Sequence, residues 1–208
     1  MYGKFSLFPE QASRLAPDID LLYFALIAMS CFFIVVICSL VVIFAIKYRR
    51  REGNEVAQHV HEHHLMEVGW SLIPLVLGLV IFAWGAHLFL GIYNPPAEGN
   101  VEIFAVAKQW MWKFQHQGGQ REINELHLPL GRPARLVMTS EDVIHSFWVP
   151  KLGGKMDMVP GRMQHLLLQA DAPGRWRGQC AEYCGEQHAR MALDVVALAP
   201  AEFEAWAD

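Results

Sequence analysis

The chain has 208 residues, of which 53% are hydrophobic and 18% charged, with a formal net charge of −4 and a mean hydropathy of +0.20. This hydropathy is high for a protein that lies wholly in water and low for one that lies wholly in a bilayer, so the composition indicates both kinds of region. The net charge is mildly acidic, and we predict no nucleic-acid partner.

Two apolar segments in the first half of the chain are long enough to cross a membrane. They cover residues 21–46 and 68–93, 26 residues each, and contain no Asp, Glu, Lys or Arg, whereas a transmembrane helix needs about 20 residues. A signal peptide is disfavoured because the first segment is too long and begins too late, after an acidic stretch. We therefore predict that residues 1–95 comprise an N-terminal segment and a helix hairpin in the lipid bilayer.

The orientation of this hairpin is predicted by Lys47-Tyr-Arg-Arg-Arg51, which follows the first apolar segment directly. Basic residues beside a membrane span stay in the cytoplasm. The loop over 47–67 is therefore predicted to be cytoplasmic, and both termini to lie on the periplasmic side of a bacterial inner membrane. The histidines of the loop, His59, His61, His63 and His64, fit a solvated turn better than a metal site.

The remaining residues, 96–208, are predicted to form one domain that begins at the turn signal Pro95-Pro96. Short segments rich in β-branched and aromatic residues alternate there with Gly and Pro turns, a pattern typical of a β-sandwich or barrel. The last residues, from Pro200 onwards, favour one or two helical turns. The predicted strands cover residues 101–106, 110–114, 122–128, 135–138, 164–169 and 192–198.

The densest chemical signal is a loop near the C-terminus that carries two thiols, an imidazole and a thioether. These are Cys180, Cys184, His188 and Met191, and a second imidazole, His145, lies upstream. Soft sulfur combined with imidazole selects copper, and a mononuclear blue-copper site uses two His, one Cys and a weak Met. One Cys beyond that set is what a second copper ion would require, with both sulfurs bridging the pair.

Three other interpretations of the two cysteines stay open at this point. Outside the cytoplasm they fit a disulfide. Together with the histidines they fit a tetrahedral zinc site, although zinc has no use for the methionine. A single-Cys blue-copper site would leave one thiol unexplained. Charge favours a copper pair, because two thiolates nearly neutralise it and a nearly neutral centre is easier to bury.

Several longer motifs resemble those of subunit II of the haem-copper cytochrome c oxidase family. They are Asp142-Val-Ile-His-Ser-Phe147, Lys155-Met-Asp-Met-Val-Pro-Gly-Arg162, the segment 178–191, Glu67-Val-Gly-Trp-Ser-Leu-Ile-Pro74 and Gln109-Trp-Met-Trp112. The resemblance spans nearly the whole chain. It implies a two-helix transmembrane hairpin followed by an all-β, cupredoxin-like domain with the binuclear copper centre called CuA.

The resemblance also implies roles for individual residues around that centre. The implied copper ligands are His145, Cys180, Cys184, His188, Met191 and the backbone carbonyl of Glu182. The Glu182 side chain would reach a magnesium ion shared with subunit I, although a solvated loop acid would look the same in sequence.

Two further residues acquire implied roles outside the ligand set. Trp110 matches the aromatic residue through which the family accepts an electron from cytochrome c, although core packing would also explain it. The family commonly has Tyr at the next position, where this chain has Met111. Glu67 matches an acid at the mouth of a proton channel into subunit I, although an acid at a helix start also complements the helix dipole.

The implied function is that of the oxidase subunit that receives electrons from a c-type cytochrome and passes them to haem in subunit I, where oxygen is reduced to water. Subunit III is a further implied partner. Residues 96–208 carry 11 Lys and Arg against 14 Asp and Glu, which permits docking of a basic donor. The alternatives are a quinol-oxidase homologue, which would lack the copper ligands, the CuA subunit of a nitric-oxide-reducing enzyme, and a membrane-tethered copper carrier or assembly protein.

Overall fold

The structure is a computed structural model that describes residues 9–53, 56, 59, 61–93 and 99–207. It contains two long helices, α1 over Leu15–Lys47 and α2 over His64–Tyr93, followed by a β-rich domain. The chain divides into two compact units. One is Asp20–His87, and the other joins the described residues up to Ile19 with those from Leu88 onwards.

The first unit is built from the apolar parts of α1 and α2. The two helices pack closely enough that a Cβ added to Gly85 would lie 3.9 Å from Leu22 Cδ2. Their most apolar stretches bury none of their residues inside the protein, which suits helices whose remaining surface faces lipid. Pro74 lies inside α2, and such prolines are tolerated in membrane helices. The helices include the predicted spans 21–46 and 68–93, while their orientation stays a prediction.

The second unit is a sandwich of two five-stranded sheets, as the sequence predicted. One sheet has the order β3-β2-β1-β5-β8 and the other the order β4-β10-β9-β6-β7. The strands are β1 Val101–Lys108, β2 Met111–His116, β3 Arg121–Ile123, β4 Glu125–Pro129, β5 Ala134–Ser140, β6 His145–Val149, β7 Gly154–Met158, β8 Gln164–Leu168, β9 Gly174–Cys180 and β10 Ala192–Leu198. Helix α3, Pro200–Ala207, follows the last strand.

The core of the sandwich lies between the inner faces of the two sheets. Alternate residues of β10 are buried, as expected for strands with one face towards the core. Trp112 and Phe147, one from each sheet, are completely buried and meet edge to face with ring centroids 5.5 Å apart. The Trp112 ring also meets the ring of His145, with centroids 6.2 Å apart, so this aromatic contact lies beside the first residue of β6.

The predicted strand over 122–128 is in fact two strands that belong to different sheets. The chain leaves β3 and begins β4 at Asn124, whose φ of 57° is left-handed. Asn tolerates this conformation better than most residues, and its Oδ1 accepts a hydrogen bond from Trp112 N at 2.8 Å. The prediction was wrong here because the alternating pattern continues across the turn.

The segment before α1 is attached to the sandwich by backbone hydrogen bonds. Ala12 N donates to Lys151 O at 2.9 Å, and Asp171 N donates to Ala12 O at 3.0 Å. Ser13 Oγ donates to Leu152 O at 2.8 Å. These residues therefore belong to the same compact unit as the sandwich. The predicted boundary at Pro95-Pro96 lies outside the described residues and stays a prediction.

Candidate metal centre

The ends of three neighbouring strands bring the sulfur and imidazole side chains together. His145 is the first residue of β6, Cys180 is the last of β9, and Met191 immediately precedes β10. Cys180 pairs with Phe147 across β6 and β9, and its N–H donates to Met191 O at 3.0 Å. The strand pairing alone therefore places these three residues at the same end of the sheet.

The side chains converge on Cys184, which lies in the loop between β9 and β10. Its Sγ is 3.7 Å from Cys180 Sγ, 3.7 Å from His188 Nδ1 and 3.8 Å from Met191 Sδ. A ring nitrogen of His145 lies within 4.8 Å of both cysteine sulfurs. His145, both cysteines and Met191 are at most 6% exposed, whereas His188 is half-buried. The other four predicted side-chain ligands therefore all lie close to Cys184 Sγ.

One ring nitrogen of His145 has a hydrogen-bond partner, and the other has none among the described residues. Its Nε2 is 2.9 Å from Asp142 Oδ1, while its Nδ1 is buried and has no hydrogen-bond partner among the described residues. A buried polar atom without a partner is costly, and it is also what a metal ligand looks like when no metal is present. The Asp142 contact fixes the proton on Nε2 and leaves the Nδ1 lone pair free.

Asp142 is the residue that keeps this histidine in place. Burial opposes its charge, but hydrogen bonds from the Gln109 N–H at 2.8 Å, from His145 and from the Val143 N–H outweigh burial and lower the pKa of Asp142 to about 2. No role was predicted for Asp142 from the sequence. Its position three residues before His145 was the available signal.

The two cysteines are free thiols in a setting that disfavours thiolates. Burial, followed by the hydrogen bond and charge of neighbouring Cys180, raises the pKa of Cys184 to about 12. Two adjacent thiolates would repel each other in this buried pocket unless cations lay between or beside them. Metal binding supplies that charge and deprotonates the thiols, so the pocket suits a cationic group bound by both sulfurs.

Backbone groups complete the loop around the sulfurs. The Cys180 thiol donates to the carbonyl of Glu182 at 3.2 Å, while the Glu182 residue itself is exposed. In the described residues, neither group of side chains that is close enough to hold an ion contains the Glu182 carboxylate. The carbonyl therefore contacts the Cys180 sulfur, and the structure offers the predicted magnesium role of Glu182 no support.

Trp110 and Gln109 lie directly against the loop. Trp110 Nε1 donates to the carbonyl of Cys184 at 3.3 Å, and Gln109 Nε2 donates to the same oxygen at 2.8 Å. Gly185 has φ of +120°, and a Cβ there would lie 3.0 Å from Gln109 Nε2 and 3.1 Å from Trp110 Cζ2. Glycine is therefore required for this close approach. Glu67, by contrast, lies in the first turn of α2, within the helical unit.

Comparison with known proteins identifies the family. The profile described as "Cytochrome C oxidase subunit II, periplasmic domain" matches residues 119–198. Cytochrome c oxidase subunit 2 of Alkalihalophilus pseudofirmus is 37% identical over 197 residues, which cover 91% of this chain and 57% of that protein. The solved periplasmic domain of subunit II of cytochrome oxidase of Bradyrhizobium japonicum is 30% identical, with a TM-score of 0.51, over 53% of this chain and 92% of that one.

The chain belongs to the cytochrome c oxidase subunit II family. Its relatives are subunits of oxidoreductases, and the cupredoxin-like fold predicted for the domain is confirmed. Family membership together with the two exposed apolar helices makes it a membrane-anchored subunit with an extramembrane domain.

The family also contains subunits of quinol oxidases. Quinol oxidase subunit 2 of Bacillus subtilis is 30% identical over 191 residues, which cover 86% of this chain and 59% of that protein. The chain thus spans less than two thirds of the length of either of these two bacterial relatives. Because the chain is similar to subunit II proteins of both names, similarity alone does not distinguish a cytochrome donor from a quinol donor.

Proposed function

We propose that the sandwich domain holds a binuclear CuA centre. The observation that carries this proposal is the pair of buried, free cysteine sulfurs 3.7 Å apart, with imidazole nitrogens and a thioether beside them. The proposed ligands are His145, Cys180, Cys184, His188, Met191 and the backbone carbonyl of Glu182.

The chemistry of these groups favours copper over the alternatives. Thiolate, thioether and imidazole are soft or borderline ligands of the kind copper selects, and zinc would leave Met191 without a purpose. A disulfide would leave the unpartnered Nδ1 of His145 unexplained. A mononuclear centre would leave one buried thiol unused. When bound, a copper pair supplies one-electron transfer, and the surrounding residues fix its ligands and exclude water.

We infer that the subunit accepts electrons one at a time from a c-type cytochrome and delivers them to haem in subunit I of a haem-copper oxidase, which reduces oxygen to water. Subunit III is a further proposed partner. The copper ligand set favours a cytochrome donor over quinol, since a quinol oxidase homologue was expected to lack it. Trp110 is the proposed point of electron acceptance, because its ring contacts the backbone of the ligand residue Cys184.

Burial of the ligands favours electron transfer over copper delivery. A carrier must release its metal, which calls for accessible ligands, whereas Cys180 is 6% and Cys184 is 3% exposed. The alternative of a nitric-oxide-reducing enzyme concerns the reaction in subunit I, which would leave the copper site of this chain the same.

Copper stoichiometry and electron paramagnetic resonance test the proposed centre. The purified full-length subunit in detergent should bind two copper ions and show hyperfine structure from an electron shared by both nuclei. That pattern would follow if the Cys180 and Cys184 thiolates held both ions, because the two metals would then have similar surroundings and could share the electron. One copper per chain, or hyperfine structure from a single nucleus, would contradict the proposal.

The proposed role of Met191 is tested by Met191→Leu, which removes the sulfur and retains an apolar side chain of similar volume. Axial ligands tune the potential of related copper sites, so we expect a shifted reduction potential with copper largely retained. Met138→Leu is the matched control, because Met138 is equally buried but belongs to β5 in the other sheet. Redox titration of both variants decides, and an unchanged potential in copper-loaded Met191→Leu would remove Met191 from the ligand set.

Two proposed roles need the assembled oxidase. Glu67, in the first turn of α2, is proposed to lie at the mouth of a proton path, and turnover of a correctly assembled Glu67→Gln enzyme would test it. Magnesium binding by Glu182 stays a prediction from the family resemblance alone. The proposed orientation, with both termini and the copper domain in the periplasm of an inner membrane, is open to protease protection in oriented vesicles.

A further inference from the structure

A second buried cluster of imidazoles and carboxylate lies where β2, β3 and β4 meet. His116 Nε2 is 2.7 Å from Glu122 Oε1, and His127 Nδ1 is 2.6 Å from Glu122 Oε2. The side chains of His116, Glu122 and His127 are only 4%, 9% and 13% exposed. Two histidines therefore share the two oxygens of one buried carboxylate, an arrangement that the copper site does not use.

The positions of three strands bring the side chains of this cluster together. His116 ends β2, Glu122 lies in β3, and His127 lies in β4 of the opposite sheet. The turn between β2 and β3 is closed by a hydrogen bond from His116 N to Gln120 O at 2.9 Å. The left-handed residue Asn124 then carries the chain from one sheet to the other. The cluster consequently joins the two sheets at one edge of the sandwich.

The charged residues around this cluster are mostly acidic. Glu125 Oε1 lies 3.5 Å from His127 Nε2, the nitrogen that faces away from Glu122. Arg175 is the cation of this group, and it pairs with Glu125 at 3.1 Å and with Asp194 at 2.9 Å. Glu125 and Asp194 share this guanidinium, whereas Glu122 contacts only the two imidazoles among the ion pairs of the described residues. Three carboxylates therefore stand beside one guanidinium in this region, and a divalent ion would offset the excess of negative charge.

An apolar cover from α3 shields the cluster. The Trp206 ring stacks on His127 with centroids 4.6 Å apart and meets His116 edge-on at 4.8 Å. Phe203 packs beside both Trp206 and His116. The Nδ1 atom of His116 is buried without a hydrogen-bond partner in the described part of the chain, so all polar contacts of this ring are on the Glu122 side.

We propose that this cluster is a second metal site, which binds a divalent ion of the zinc class through His116 Nε2, the Glu122 carboxylate and His127 Nδ1. Two His and one Glu form a known zinc ligand set. Glu125 would orient His127 through its other ring nitrogen, as carboxylates do behind metal-bound histidines. The set contains no sulfur, which separates it chemically from the proposed copper centre.

Glu122 is already prepared to act as an anionic ligand. Burial opposes its charge, but hydrogen bonds from His116 and His127 outweigh burial and lower the pKa of Glu122. Zinc holds nitrogen and oxygen ligands at about 2.0–2.2 Å. To bind through His116 Nε2 and His127 Nδ1, each neutral ring would carry its proton on its other nitrogen, which in His127 is Nε2, 3.5 Å from Glu125 Oε1. A bound ion would tie β2 and β3 to β4, and thereby one sheet to the other.

Zinc titration of the copper-loaded, full-length subunit in detergent tests this site. Loading with copper first keeps zinc from the cysteines. Replacing His59, His61, His63 and His64 with Gln removes the cytoplasmic imidazoles, which would otherwise compete. We expect one bound zinc, zinc-edge X-ray absorption with nitrogen and oxygen neighbours only, and a raised melting temperature, because an ion that binds only the folded state stabilises it.

Variants separate this site from unspecific binding. His127→Ala should abolish stoichiometric binding, whereas His165→Ala should not, because that half-buried histidine lies on β8 beside Arg135. Glu125→Gln, which leaves the ligands intact, should weaken binding about 10- to 100-fold. Circular dichroism checks that each variant is folded.

Three outcomes would overturn the proposal. They are no zinc binding at stoichiometric concentration, sulfur in the zinc shell, and unchanged affinity in a folded His127→Ala protein. If His127→Ala fails to fold, unchanged affinity in Glu125→Gln overturns it instead. Copper content measured before zinc is added shows whether the copper proposal has failed, so the failure of either proposal is recognised separately.

Discussion

Cys184→Ser is expected to abolish the shared-electron signature of the proposed copper pair and to reduce the copper content from two ions to at most one. Three of the other proposed ligand atoms lie within 3.8 Å of Cys184 Sγ. They are Cys180 Sγ and His188 Nδ1, each at 3.7 Å, and Met191 Sδ at 3.8 Å. A hydroxyl is smaller and is not a soft ligand, so it cannot bridge two copper ions as a thiolate can.

The chain offers a matched control for this substitution. Cys38 is a free, exposed cysteine on α1, and Cys38→Ser should retain both copper ions and the unaltered spectrum. Copper quantification and paramagnetic resonance of the two variants, with circular dichroism to establish folding, make the comparison. Two copper ions with a shared electron in Cys184→Ser would show that Cys184 does not bridge, and the proposed binuclear centre would fail.

The sequence was sufficient to predict the sandwich and the residues that meet in its pocket. Cys180, Cys184, His188 and Met191 are close in sequence, so any loop that reverses at Gly185 brings them near each other. The position of His145 at the end of a strand was also predicted, and β6 indeed begins there. Local spacing carried this information because four of the five side chains lie within one segment of the chain, 180–191.

The remaining features depend on contacts that spacing does not encode. Strand β9 was missed because Gly174 and Gly178 resemble turn signals, although Gly178 is needed in the strand, where a Cβ would lie 2.6 Å from Leu193 Cδ2. The cluster of His116, Glu122 and His127 was missed because it forms only when the chain changes sheets at Asn124. The attachment of Ala12 to the sandwich joins residues more than 130 positions apart.

Trp110 lies between the proposed copper site and the protein surface. Its substitution is expected to lower the rate of electron transfer from cytochrome c. The half-buried ring donates a hydrogen bond to the Cys184 carbonyl at 3.3 Å and packs against Gly185. An electron that arrives at this ring is one hydrogen bond from the backbone of a proposed copper ligand. Gln109 donates to the same carbonyl at 2.8 Å, so the loop keeps a second support when the ring is removed.

Trp110→Gln should therefore slow electron transfer from cytochrome c by an order of magnitude or more at saturating donor, while docking survives because no charge is removed. Raising the salt concentration should instead weaken docking and leave the saturated rate unchanged, because exposed charges are screened beyond about 8 Å at physiological ionic strength.

Two further variants serve as comparisons. Trp110→Phe keeps a ring without its N–H and should give an intermediate rate. Tyr183→Gln removes an exposed ring from the same loop and should leave the saturated rate unchanged. Stopped-flow kinetics at saturating and sub-saturating cytochrome c separate rate from affinity. A copper-loaded Trp110→Gln protein with an unchanged saturated rate would show that Trp110 serves packing and that the electron arrives by another route.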